Sequence, residues 1–191
     1  MAYEQEREGI AQIVEKHSSV PVRPEFSTPA ARLIVRRCET LKRKPPLVIQ
    51  RFLDRADGPK GQDGIRDKMA RDFHGRDFQD LPEDKKNGVR ELESAMSNPA
   101  TPHPYFKAGL TFAQAHSLLI ETYREETNRT LPQELRAALA DFRTGLEKDL
   151  DESAKAHAFY PEYSKANQAL RIAAAGPHRA TQTIPMVTAR R

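Results

Sequence analysis

From Thr111 to Phe159 apolar positions recur at helical spacing in two consecutive runs, the densest such patterning in the chain. The first run opens on Thr111 and Gln114, the spacing of a capping box, and sets Phe112, Ala115, Leu119 and Tyr123 along one face. The second opens on Thr130 and Gln133 and carries Leu135, Leu139, Phe142, Leu146 and Leu150. Only a short polar break around Asn128 and Arg129 separates the two, so they are expected to fold back on each other as an antiparallel hairpin at the centre of the molecule. Glu134, Asp141, Glu147, Asp149, Asp151 and Glu152 alternate with Arg136, Arg143 and Lys148 along the second run and read as its solvated side.

The remaining patterns are shorter. Tyr3, Ile10 and Val14 mark an amphipathic helix near the start, followed by a linker from Val20 to Pro29 whose prolines cannot continue it. Thr28 followed by Pro29 is a start signal, because the hydroxyl caps free amides and proline suits the first turn. Beyond it, Ala30, Ile34, Cys38 and Leu41 share one side of a helix, and Arg32, Arg36 and Arg43 fall on the other. After Lys44, Pro45 and Pro46, a helix through Val48, Ile49, Phe52, Leu53 and Ala56 is predicted, ending at Asp57, Gly58 and Pro59. Gly58 to Gly64 reads as a loop, Ile65, Met69 and Phe73 as a short helix ended by Gly75, and Val89, Leu92 and Met96 as a helix begun at Pro82. Asn98 to Gly109 reads as a rigid proline-bearing loop. Tyr163, Ala166, Leu170 and Ala173 form a last helix closed by Gly176 and Pro177.

The pattern therefore predicts an all-α fold, an irregular helical bundle of six to eight helices around the central antiparallel hairpin. It divides into an N-terminal amphipathic helix and Pro-rich linker (1–28), a helical domain (29–176) and a basic tail (177–191) expected to be disordered. Composition adds that Trp is absent and that Cys38 is the single cysteine, which excludes an internal disulfide and a site built from paired cysteines. The net charge of +4 hides an acidic middle between two basic ends. The start lacks the basic and apolar segments of a secretory signal, and no apolar run approaches the length of a membrane span. A cytoplasmic protein is expected, secretion without a signal peptide being the alternative.

Candidate chemistry is thin. The string His103-Pro104-Tyr105-Phe106-Lys107-Ala108-Gly109 precedes a helix and is similar at its start to the Fic family of nucleotidyl-transferring enzymes. That family's loop runs from His-Pro-Phe through an acidic residue to Asn-Gly-Arg, which implies a histidine base, a metal-holding acid and phosphate held by arginine and amides. Here Lys107 stands at the acid position, Gly109 and Leu110 at the Asn-Gly pair, and Thr111 at the arginine, so no such activity is expected. Cys38 and His116 read as core residues rather than a nucleophile and its base. The histidines lack the spacing that sets two imidazoles on one helix face, and no glycine-rich phosphate loop is present, so neither metal nor cofactor is expected.

The best binding candidate is the basic back of the helix after Pro29: Arg32, Arg36, Arg37 and Arg43, with Lys42 and Lys44. Glu39 interrupts it and weakens a pure phosphate surface, so a protein partner, or the acidic middle of the same chain, ranks ahead of nucleic acid. The expectation is a non-enzymatic protein-binding module, an adaptor, regulator or delivered effector. A nucleic-acid-binding regulator using residues 29–44 and the basic tail is the alternative.

Overall fold

The computed structural model describes residues 2–58, 61–96 and 108–175. Eight α-helices lie among them: α1 (Ala2–Lys16), α2 (Ser27–Thr40), α3 (Leu47–Ala56), α4 (Gly61–His74), α5 (Glu83–Met96), α6 (Phe112–Glu126), α7 (Gln133–Ala156) and α8 (Tyr160–Ala175). A 3₁₀ turn, Phe78–Asp80, precedes α5. Two short strands, β1 (Pro21–Val22) and β2 (Leu110–Thr111), pair antiparallel, Pro21 opposite Thr111 and Val22 opposite Leu110. With 76% of the described residues helical, the fold is all-α.

α7 is the axis. Leu135, Ala138, Leu139, Phe142, Leu146, Leu150 and Ala154 are buried along it, facing α2 on one side and α6 on the other. Arg143 bonds Glu126 and Tyr123 bonds Glu147, so position numbers fall on α6 as they rise on α7 and the hairpin is antiparallel. Phe52 of α3 meets the Phe142 ring edge-on at 4.9 Å, and Phe112 meets Phe159 and Tyr163 in the same way. α1 lies against α8, with Ile10 buried in the same core and Lys16 3.5 Å from Glu162.

A second, separate core joins α4, the 3₁₀ turn and α5: Met69, Ala70, Phe78, Leu81 and Val89, with Ile65 and Met96 against them. Here the pattern misplaced two side chains. Phe73 is 53% exposed and Leu92 41% exposed. Glu93 turns in instead of Leu92, held by Arg66 at 2.8 Å.

Helix ends differ from expectation where caps are shared or shifted. The Thr111–Gln114 capping box forms in both directions. Its predicted counterpart does not, because Pro132 occupies the cap position of α7 and Thr130 turns back to Asn128. Likewise α2 starts at Ser27 without a local side-chain cap, one residue before Thr28. α4 begins at Gly61, so residues assigned to a loop supply its first turn, and Gly75 ends it at φ 67 in the left-handed region. The strings Asn98–Lys107 and 176–191 lie outside the described residues.

Candidate functional site

The basic back of α2 resolves into engaged and free charges. Arg32 pairs with Asp57 at 3.1 Å, and Arg37 donates to the Glu134 carbonyl at 3.2 Å. Lys44 reaches Asp80 at 2.7 Å and Asp77 at 3.0 Å. Those bonds, Asp80 first, push its pKa up to about 12. Arg36, Lys42 and Arg43 are exposed, and among the described residues their side chains make no hydrogen bond or ion pair.

The turn that displays them is specific. Lys42 sits at φ 50, and the Arg43 and Lys42 amides return to the carbonyls of Cys38 (2.9 Å) and Glu39 (3.1 Å), the paired bonds of a Schellman motif. Glycine is usual at that position. With lysine there the helix stops, Leu41 leaves the apolar side and stands 38% exposed, and Arg43 and Lys44 lie beyond the helix end. One turn back from Arg36, Leu33 is 43% exposed.

A second feature, absent from the sequence reading, lies where α2 crosses α7. Asp149 is 1% exposed, and its carboxylate accepts from the Phe26 amide (2.9 Å), the Ser27 amide (3.0 Å) and the Ser27 hydroxyl. It is the missing cap of α2, delivered from another helix. Burial pushes the Asp149 carboxyl above the ordinary 3.8, while the Ser27 hydroxyl and the two amides pull it partly back. One turn earlier, Gly145 lets the backbones touch: a Cβ there would sit 2.7 Å from the Phe26 carbonyl oxygen.

Beside this crossing opens a cleft of about 490 Å³ lined by Pro21, Arg23, Glu25, Phe26, Glu152 and His157. Ser153 donates to the Pro21 carbonyl at 2.9 Å, and the Lys148 ammonium stands 3.7 Å over the Phe26 ring. The donors facing Asp149 belong to the chain itself, so its role is to join the linker to α7. Among the described residues no three His, Cys, Asp or Glu side chains converge as a metal site.

Cys38 and His116 are both buried. Burial raises the Cys38 thiol, with Arg43 opposing, and lowers the His116 imidazole. A thiol held protonated is a poor nucleophile, which fits the core role. His103 lies outside the described residues. No helix among the described residues is long and apolar enough to cross a membrane. Set against protein-family models, curated proteins and solved structures, the chain matches none.

Proposed function

We propose that the chain is a protein-binding module, an adaptor or regulator, whose binding face is the outer side of α2 and the turn after it. The observation that carries this is the mixture at that face: Leu33 and Leu41 stand 43% and 38% exposed beside Arg36, Lys42 and Arg43. Apolar side chains ringed by cations suit a protein surface with an apolar centre and an acidic rim. A phosphate-binding face gains little from exposed leucines, and Glu39 opposes it.

The test places a photo-crosslinking amino acid at Leu33 in the full chain and identifies what it captures. The expected partner is lost with Arg36→Glu/Arg43→Glu and regained when acidic residues at its crosslinked site are changed to lysine. Duplex DNA is titrated in parallel from about 0.05 to 0.5 M salt, a range over which phosphate contacts weaken steeply. Tight, sequence-selective duplex binding lost in the same variant would instead establish the nucleic-acid reading.

A further inference from the structure

The unit formed by α4, the 3₁₀ turn and α5 has its own small apolar core and meets the body through charge. Arg71 of α4 is 8% exposed and grips Asp54 of α3 with two bonds of 2.7 Å, while its remaining nitrogen reaches Asp77 at 3.0 Å. Arg55 of α3 faces Asp72 at 3.4 Å, and Lys44 is taken by Asp77 and Asp80. Arg51 donates to the Arg71 carbonyl at 2.8 Å and pairs with Glu121 of α6 at 3.3 Å. Setting aside Arg71 and its partner Asp54, the body offers Lys44 and Arg55, and the unit answers with Asp72, Asp77 and Asp80, while Arg51 gives the unit one bond to a carbonyl.

That arrangement has two physical consequences. The main core and the small core are separate clusters, so parting the two surfaces breaks ion pairs without opening either one. A part of a fold with few apolar ties to the rest opens at lower free energy than the whole. Lys44, whose side chain is still 69% exposed, lies directly after Arg43, so the cations that face the unit continue the free basic face of α2 and can be reached by a competing acid.

We propose that α4, the 3₁₀ turn and α5 form an acidic cover over the basic edge of α3, an autoinhibitory contact that opens as one unit when an acidic partner takes Lys44 and Arg55. The partner chemistry rests on the binding face assigned to α2, whereas the separate opening of the cover stands on its own.

Amide hydrogen exchange on the full chain tests it, with poly-L-glutamate as the acidic probe. Amides of α4 and α5 are expected to exchange through a common opening that leaves α2, α6 and α7 protected, and the probe is expected to speed them about tenfold. Asp80→Asn removes one exposed acid from Lys44 and leaves the Arg71 bonds in place, so less probe should give the same acceleration. Exchange of α4 and α5 at the rate of the body, or no response to the probe, overturns the proposal. Should the cover open as described while the Leu33 crosslink finds no partner, the function assigned to α2 fails and the cover stands.

Discussion

Removing the Asp149 carboxylate should cost the fold a large share of its stability, because it is the buried cap of α2. The side chain holds two backbone amides and one hydroxyl at the start of α2, in a place where it is 1% exposed. An N-cap is worth roughly 0.5–2 kcal/mol, and a charge at a partly buried helix end up to about 2 kcal/mol. Water entering from the adjoining cleft relieves some of the amides left bare, so Asp149→Ala should lose about 2–4 kcal/mol against a usual total of roughly 5–15. Asp149→Asn keeps one acceptor but loses the charge and turns an amide donor toward other donors, which places it at about 1.5–3 kcal/mol. Urea melts followed by helical circular dichroism measure both, and a cycle with Ser27→Ala isolates the bond between the side chains. A loss below about 0.5 kcal/mol for Asp149→Ala, or no coupling to Ser27, would refute the assignment of Asp149 as the cap.

Phe142→Ala should cost roughly 3–5 kcal/mol in the same melts, because the ring is fully buried against Phe52. Arg143→Ala should cost about 1 kcal/mol rather than nothing, since Arg143 is half-buried between Glu126 and Glu147 and lies over Tyr123. Gly145→Ala should lower the urea midpoint despite alanine's better helix propensity, because its Cβ would collide with the Phe26 carbonyl. Ala158→Gly should raise the unfolding free energy by roughly 0.5–1 kcal/mol, since Ala158 is held at φ 62. His116 is depressed below 6.5 by burial, so the unfolded chain binds the extra proton first. Stability is then full above pH 6.5 and falls as pH drops toward the depressed value, a slope that His116→Gln should flatten.

What the sequence disclosed was whatever one helix decides by itself. The apolar stripe of α7 and the Thr111–Gln114 box depend on spacing within a single segment, and both are present. The turns after α2 and α7 were hidden, because Lys42 and Ala158 hold left-handed conformations where glycine is the usual mark. Asp149 was hidden for a different reason. It follows Phe142 by two helical turns and so lies on the buried stripe, yet its charge classed it with the solvated acids. An acid on an apolar stripe, one turn after a mid-helix glycine, is the signal that would have found the crossing. The basic face was legible as charge, but which cations stay free depended on Asp57, Asp77 and Asp80, distant in sequence from Arg32 and Lys44. Arg143 failed in the opposite sense, assigned to solvent and found wedged between two helices.

The cap of α2 arrives late. Asp149 follows Ser27 by 122 residues, so at synthesis rates of roughly 5–20 residues per second α2 leaves the ribosome several seconds before the carboxylate that closes its first turn exists. α1 waits longer still, since α8, the helix it lies against, is made after the other described helices. Until then Ile10, Ala31 and Ile34 have no finished core to enter, so their apolar surface stays open to solvent while the rest of the chain is made.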